Sequence, residues 1–215
     1  MDEISSSILI VNTLNPEDEN IISCSERSLI NLIGPEINTR VISVFNDLNQ
    51  EVPEKGVILN GSMFSVVDRP FWLDKYKEFI KRMVDEDKFI LGICFGSQLL
   101  GDIYGSTVEK SNEVCLGYRK LQLNNEALEH PMFHELPQEI RVPSFHFDHI
   151  KYRSSQKLPL GFSSQSYLYA FEVCFENKSP AWGLQFHPEM TRERLLDLLE
   201  QNKHHFLDFN AIRGE

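Results

Sequence analysis

The sequence predicts an α/β fold: a doubly wound, mostly parallel central sheet flanked by helices, with a β-rich C-terminal half. In the first half of the chain, short and nearly unbroken apolar runs alternate with helix-like segments, which is typical of parallel strands covered on both faces. Beyond residue 106 the segments become shorter and strand-like, with Pro and Asn between them. In open sheets of this kind, ligands bind beyond the carboxyl ends of the strands.

The strands and helices of the first half follow in order. Four apolar runs predict strands at residues 8–11, 41–44, 57–59 and 89–93. Apolar residues at helical spacing predict helices at residues 17–33, 69–86 and 97–104. The first of these helices ends at Gly34 and Pro35, which are residues that terminate helices.

The second half is predicted to hold strands at residues 114–123, 140–147, 167–175 and 181–186. A closing helix is predicted over residues 191–206. Thr191 is placed to cap that helix, Glu193 lies in its first turn, and Leu195, Leu198 and Leu199 are available for packing. With 215 residues and no interdomain linker, we expect residues 1–215 to form a single domain.

Composition excludes several classes of protein. A net charge of -11 and a pI near 5.1 argue against nucleic acid as a partner, because binding to phosphates requires clustered Lys and Arg. No apolar stretch approaches the roughly 20 residues of a membrane-spanning helix, and the opening MDEISSS is acidic where a secretory signal is basic. We therefore expect a cytoplasmic protein with neither a nucleic-acid nor a membrane partner.

The most informative segment is Gly92-Ile93-Cys94-Phe95-Gly96, which joins a buried-looking strand to a helix-like segment. In that context a nucleophile between two glycines marks a sharp turn that presents the central side chain at the edge of the sheet. A helix N-terminus also favours a thiolate. Cys94 is therefore predicted to be a nucleophile. The other cysteines, at 24, 115 and 174, lack this context and are interpreted as small apolar residues.

A second segment supplies a base. The strand-like run Gly183-Leu184-Gln185-Phe186 ends at His187, and Glu189 follows two residues later. Because residues two apart in an extended chain project to the same side, Glu189 can accept a hydrogen bond from the His187 ring and fix its tautomer. The other ring nitrogen is then left for Cys94.

These motifs resemble those of the class I glutamine amidotransferases, in particular the amidotransferase part of GMP synthases and its stand-alone relatives. The resemblance covers most of the chain and rests on four segments, GICFGSQ (92–98), GLQFHPE (183–189), ILNGSMFSVVD (58–68) and SFHFDHI (144–150). It implies a flavodoxin-like sheet. It also implies that Cys94 attacks the side-chain amide of glutamine, that His187 protonates the departing ammonia, and that water releases glutamate from a thioester.

The oxyanion of such a reaction requires fixed hydrogen-bond donors. The amide of Phe95, at the start of the predicted helix, is one candidate. The resemblance implies a second donor among the amides of Gly61 and Ser62. Relatives often carry a second Gly and a Pro where this chain has Ser62 and Met63, and Ser adopts positive φ less readily than Gly.

The resemblance further implies that Gln98 lines the glutamine pocket and that backbone near Phe145 and His146 holds the amino-acid end of the substrate. Ser97 departs from relatives, which commonly carry His or Met there, and we expect a modest effect. A different interpretation of His146, Asp148 and His149 is a metal site, because H-x-D-H brings nitrogen and oxygen donors together. The rest of the sequence offers no matching cluster, so we expect no metal.

No Gly-rich phosphate loop of the kind found in a full GMP synthase is present, so we expect no cofactor. The ammonia released would pass to a separate ATP-using synthase subunit, go to an acceptor bound directly, or escape. Three hypotheses stay open: a glutaminase or amidotransferase subunit, a hydrolase or transferase of other γ-glutamyl compounds, and a silent binding protein. The remaining charged features are interpreted as solvated: the acidic run at 17–19, and His130, His134, His204 and His205.

Overall fold

The structure is a computed structural model that describes residues 7–17, 19–46, 48–151, 157–164 and 166–201. Several predictions lie outside the described residues, namely those for Asp18, for residues 202–206 with His204 and His205, and for the side chains of Glu19, Cys24, Leu198 and Leu199. In chain order the elements are β1 (Ser7–Asn12), α1 (Glu19–Ile33), β2 (Asn38–Ser43), β3 (Gly56–Leu59), α2 (Leu73–Asp85), β4 (Phe89–Ile93), α3 (Phe95–Ile103), β5 (Thr107–Leu123), α4 (Asn125–Glu129), β6 (Glu139–Lys151), β7 (Lys157–Phe162), β8 (Ala170–Val173), β9 (Ala181–Leu184) and α5 (Arg192–Gln201).

The strands of the described chain form one nine-stranded sheet in the order β2-β1-β3-β4-β9-β8-β7-β5-β6. Strands β2, β1, β3, β4 and β9 are parallel to one another. From β9 onward each neighbouring pair is antiparallel. This architecture confirms the predicted α/β fold and its β-rich C-terminal half, with parallel strands on one side of the sheet and antiparallel strands on the other.

Helices pack on both faces of the parallel strands. In β1, Leu9 and Val11 belong to a core cluster with Trp72 and Tyr76 from the α2 side. Ile10, between them, belongs to a separate cluster with Leu29 of α1. Because alternate residues of a strand project to opposite faces, this division shows the doubly wound packing directly and explains why the strand sequences are nearly continuous apolar runs.

The helix ends follow local chemistry. Gly34 closes α1 in the left-handed conformation (φ +91°), with its N–H donating to Ile30 O at 3.0 Å, as expected of a glycine after a helix. Thr191 caps α5 by accepting a hydrogen bond from the Arg194 N–H at 3.2 Å, which confirms its predicted role. The start predicted for α2 is wrong by four residues. Arg69 precedes Pro70, a position at which helical backbone is disfavoured, and has a φ of 50°.

Two elements of the second half were not predicted, β7 and α4. β7 contains Pro159 and Gly161, which ordinarily argue against a strand. The sheet accommodates them through a register shift between these two residues in the pairing with β8. The sequence also predicted β5 and β6 to be shorter than they are. The two strands form a long antiparallel ladder that includes polar residues and continues past a register shift between Lys110 and Cys115.

His130 corrects a further prediction. Instead of a solvated surface residue, its side chain is 11% exposed and its Nε2 lies 2.8 Å from Glu172 Oε2. His134, at 54% side-chain exposure, lies at the surface as expected. As for membranes, the described part of the chain contains no helix with the length and apolarity required to span one.

Candidate active site

Three neighbouring parallel strands direct their carboxyl ends to the same edge of the sheet. β3, β4 and β9 are adjacent in the sheet order. The loop that begins at Asn60 follows β3, Cys94 follows β4, and His187 lies three residues beyond the end of β9. The topology therefore brings together segments that are far apart in sequence, at the edge where ligands bind in such folds.

The turn that carries Cys94 is fixed by backbone packing. A Cβ added to Gly92 would lie 2.5 Å from the carbonyl of Gly96, and one added to Gly96 would lie 2.2 Å from Leu59 O. Only glycine fits at either position. Between them Cys94 adopts φ 50° and ψ -104° immediately before α3, a conformation that is unfavourable for a residue with a side chain. This geometry is the sharp strand-to-helix turn predicted from the glycines.

The thiol of Cys94 is largely enclosed, with the residue 4% exposed. Its backbone N–H donates to Leu184 O at 2.7 Å. The Sγ atom lies 3.6 Å from the carbonyl oxygen of Phe145 and 3.9 Å from Nε2 of Gln185. Cys94 is thus presented at the edge of the sheet beneath a cover formed by β6 and the segment after β9.

His187 and Glu189 form a buried pair. His187 Nδ1 lies 2.7 Å from Glu189 Oε1, and both residues are 8% exposed. Although burial lowers the pKa of His187, the charges of Glu189 and Cys94 outweigh it and raise that pKa well above its usual value. The N–H of His187 donates to Pro143 O at 2.9 Å, which fixes the backbone beneath the ring.

Two buried atoms of this pair lack partners. Among the described residues, neither His187 Nε2 nor Glu189 Oε2 has a well-aligned hydrogen-bond partner. Cys94 raises the pKa of His187 through its charge and through hydrogen bonding of its side chain, and both side chains lie close to Gly61. A Cβ added to Gly61 would lie 3.0 Å from His187 Cε1 and 3.6 Å from Cys94 Cβ. An unpaired buried ring nitrogen is costly, so Nε2 is well placed to interact with a substrate.

The loop after β3 is held by side-chain hydrogen bonds. Thr13 Oγ1 donates to Gly61 O at 2.6 Å, and Ser62 Oγ donates to Thr13 O at 3.0 Å. The Gly61 N–H, predicted to be an oxyanion donor, donates instead to Asn60 Oδ1 at 2.8 Å. Neither Gly61 nor Ser62 has a positive φ, so replacement of a second glycine by Ser62 causes no strain in this conformation.

Gln98, on α3, is buried behind Cys94. Its Nε2 donates to Asp148 O at 3.1 Å and lies 3.4 Å from Gln185 Oε1. Together with Cys94, Phe145 and other residues it lines a cavity of about 370 Å³, counting space open to solvent, which we call the nucleophile-side cavity. The structure therefore brings the predicted substrate residue Gln98 next to the predicted nucleophile.

His146 also lines the nucleophile-side cavity, but both of its ring nitrogens have partners. Nδ1 lies 2.9 Å from Asp148 O and Nε2 lies 3.1 Å from the Tyr169 hydroxyl. A carbonyl oxygen can only accept, so Nδ1 carries the proton. Burial lowers the pKa of His146 to about 3, and the ring is neutral near pH 7.

The alternative metal site receives no support from the arrangement of these residues. Asp148 Oδ2 accepts a hydrogen bond from Ser65 Oγ at 2.5 Å, and burial raises the pKa of the Asp148 carboxyl. Within the part of the chain that the structure describes, no three His, Cys, Asp or Glu side chains are grouped so as to hold a metal ion.

A second cavity lies on the other side of His187. It has an empty volume of about 570 Å³, counting space open to solvent, and we call it the histidine-side cavity. Both His187 and Glu189 line it, whereas Cys94 lines the nucleophile-side cavity. The two cavities share three lining residues: Ser62, Met63 and Phe145.

Sequence reasoning missed three residues at this site. Gln185 approaches the Cys94 sulfur, and its place two residues before His187 in a strand-like run was a signal that could have revealed it. The side chain of Asn60 accepts the hydrogen bond of the Gly61 N–H. Arg194 of α5 lines the histidine-side cavity. No sequence signal for Asn60 or Arg194 was available, because the Asn60 contact depends on the conformation of the loop and Arg194 reaches the cavity from a helix that is distant in sequence from the other site residues.

The fold is that of the class I glutamine amidotransferases. The structure matches a glutamine amidotransferase of Thermotoga maritima with a TM-score of 0.72 at 19% identity, over 94% of this chain and 84% of the other. The model of the family "Glutamine amidotransferase class-I" matches residues 20–204. The chain therefore belongs to the class I glutamine amidotransferase family.

Its curated relatives differ in size. A gamma-glutamyl peptidase 4 of Arabidopsis thaliana is 29% identical over 73% of this chain and 65% of its own length. A glutamine-hydrolysing GMP synthase of Thermosipho africanus is 33% identical over 71% of this chain but only 28% of its own length. The chain thus spans under two thirds of the peptidase and less than a third of the synthase.

Proposed function

We propose that this protein hydrolyses the γ-glutamyl C–N bond of glutamine or of a related γ-glutamyl compound, with Cys94 as nucleophile, His187 as proton carrier and Glu189 as its positioning partner. The observation that carries this proposal is the unpaired, buried Nε2 of His187, in a ring oriented by Glu189 and packed with Cys94 around Gly61. Family membership and the gamma-glutamyl peptidase and GMP synthase relatives support the same chemistry.

The proposed reaction has two steps. The Cys94 thiolate attacks the γ-carbonyl carbon, and collapse of the tetrahedral adduct breaks the C–N bond while His187 Nε2 donates a proton to the departing nitrogen. A thioester and a free amine result. Water then gives a proton to His187 and attacks the thioester, which releases glutamate and restores the thiolate.

The oxyanion of each adduct requires donors. The amide of Phe95 lies at the first position of α3, where helix N–H groups have no partner within the helix. We propose it as the first donor. Gly61 and Ser62 would supply the second, and for Gly61 this requires its N–H to leave Asn60 Oδ1. The predicted substrate residues Gln98, Phe145 and His146 would surround the glutamate part in the nucleophile-side cavity.

Partners and location are part of the proposal. When glutamine is the substrate, the amine released is ammonia, and a separate ATP-using synthase would consume it; this is in keeping with the GMP synthase relative, of whose length the match covers 28%. Cys94, Cys115 and Cys174 are free thiols, which is typical of proteins in a reducing compartment. A cytoplasmic location follows as the proposed one.

The test combines turnover and labelling. Purified protein is incubated with glutamine and a panel of γ-glutamyl amides while glutamate and the released amine are quantified, and a glutamine-mimicking chloroketone is used to label the nucleophile. We expect glutamate release and a label on Cys94. Cys94→Ala should lose more than about 10³-fold in rate, whereas Cys174→Ala, at an exposed thiol, should retain it. Absence of both turnover and labelling would leave the silent binding protein as the better hypothesis.

A further inference from the structure

In the proposed reaction, the two parts of the substrate on either side of the scissile bond would lie in different cavities. In the proposed reaction the γ-carbonyl carbon must reach Cys94, which lines the nucleophile-side cavity, and the departing nitrogen must reach His187, which lines the histidine-side cavity. Phe145 lines both. This placement puts the glutamate part of the substrate in one cavity and the group attached to its nitrogen in the other.

The histidine-side cavity is larger than ammonia requires. Its room for the centres of water-sized molecules is about 70 Å³, whereas a single water needs about 10–15 Å³ on the same measure. Its walls include the apolar side chains of Leu14, Met63, Phe145 and Met190. Apolar walls contribute little to holding ammonia, but they stabilise a hydrocarbon side chain through burial.

The same cavity contains one unpaired cation. Arg194 lines it, and its guanidinium forms no hydrogen bond or ion pair with any residue that the structure describes. The other charged residue of the cavity, Glu189, is paired with His187. In a chain with 32 acidic and 21 basic residues, an arginine without an acidic partner beside a cavity is suited to a carboxylate from a ligand.

We infer that the histidine-side cavity binds the leaving group of a γ-glutamyl dipeptide, an apolar amino acid whose side chain contacts Met63 and Met190 and whose α-carboxylate pairs with Arg194. This inference rests on the proposed function and specifies its substrate. Cys94 forms the thioester, the isopeptide C–N bond breaks, His187 donates the proton, and the free amino acid leaves through this cavity.

Three substrates test the inference: glutamine, γ-glutamyl-leucine, and γ-glutamyl-3-methylbutylamide, which is the leucine compound without its carboxylate. We expect kcat/KM for γ-glutamyl-leucine to exceed that for glutamine at least tenfold, and removal of the carboxylate to lower it about tenfold, a typical loss when a charged hydrogen-bond partner is removed. Free leucine, ammonia and 3-methylbutylamine are quantified separately.

Arg194→Met isolates the carboxylate contact. It should lower kcat/KM for γ-glutamyl-leucine about tenfold, so that the dipeptide and the methylbutylamide become nearly equal as substrates. Arg192→Met is the matched control, because Arg192 is an exposed arginine of the same helix that does not line the cavity. It should preserve the preference for the dipeptide.

The outcomes separate this inference from the proposed function. Turnover of glutamine in preference to γ-glutamyl-leucine would overturn the inference and leave the proposed function intact. Equal losses on all three substrates in Arg194→Met, with reduced thermal stability, would assign Arg194 a structural role and also overturn it. Failure to hydrolyse any of the three substrates, together with no label on Cys94, would overturn both.

Discussion

The site has two sides that are held in place by different means. The sheet side consists of Cys94, His187, Glu189 and His146, and the loop side consists of residues 60–64. On the sheet side the Cys94 turn is locked by backbone contacts that admit only glycine at 92 and 96. On the loop side, the hydroxyls of Thr13 and Ser62 donate hydrogen bonds and Asn60 Oδ1 accepts one, and these bonds fix the backbone.

The two sides differ in whether their conformation can change locally while the protein stays folded. Backbone packing of the density found around Gly96 cannot be rearranged locally, so the nucleophile has one position. A single side-chain hydrogen bond contributes about 1 kcal/mol net and can be exchanged for another. The loop can therefore change its donors, including the Gly61 amide now bound to Asn60, while the nucleophile stays fixed.

Replacing a glycine by alanine on each side, Gly96 on the sheet side and Gly61 on the loop side, tests whether the two sides differ in rigidity. Gly96→Ala has the larger expected effect. The new Cβ would lie 2.2 Å from Leu59 O, so the backbone must shift, and the free energy of unfolding should fall by about 3 kcal/mol or more with loss of turnover. Gly34→Ala is the control. It meets no atom within 4 Å and should cost about 1 kcal/mol for its positive φ. Equal losses in urea denaturation would contradict the packing argument.

Glu189→Gln probes the buried pair on the sheet side. The amide cannot stabilise a charged His187, so kcat/KM should fall about 100-fold, or about 2.7 kcal/mol. The Glu189 charge is the largest contribution that raises the pKa of His187, and the protonated ring exists below that pKa. Loss of the charge should therefore move the alkaline limb of the pH–rate profile to lower pH. An unmoved limb in the variant would show that Glu189 does not control His187.

His146 should make stability pH-dependent. Burial lowers its pKa to about 3 in the folded protein, against about 6.5 when unfolded, so the unfolded state binds the proton first. The contribution of His146 to the free energy of unfolding is therefore fully present above pH 6.5 and decreases as the pH falls. At pH 5 the loss should be about 2 kcal/mol. His146→Gln should be less sensitive over the same interval in urea denaturation. Because His187 is present in both proteins, its opposite dependence, a stabilisation lost as pH rises through its raised pKa, cancels in the comparison.

Gly61→Ala, on the loop side, has the smallest expected effect. Its Cβ would press on His187 Cε1 at 3.0 Å, so kcat should fall about tenfold, or about 1.4 kcal/mol. Because the loop can yield, the free energy of unfolding should change by less than about 1 kcal/mol. A loss of stability as large as that of Gly96→Ala would show that the loop is as rigidly packed as the turn and would remove the distinction between the two sides.

The parts of the molecule that could be predicted are those specified by neighbours in sequence. The strand before Cys94, the glycines around it and the spacing of His187 and Glu189 are local signals, and the structure brings these residues together. The contact of β6 with Cys94 could not be predicted from local signals, and only the family resemblance placed Phe145 and His146 near the site. β6 is the last strand of the sheet order, and only its fold back over the site brings the Phe145 carbonyl to the thiol. The same holds for Asn60, whose bond to Gly61 depends on the loop conformation.

The left-handed backbone of Cys94 means that the residue best for stability at this position differs from the residue that the proposed activity requires. A glycine there would remove the conformational penalty of about 1 kcal/mol or more and would leave the neighbouring glycine contacts untouched. Directed evolution toward a higher melting temperature alone would therefore favour Cys94→Gly and discard the thiol. Any campaign to stabilise this protein has to score turnover at every round, because one of the positions where backbone strain can be relieved is its proposed nucleophile.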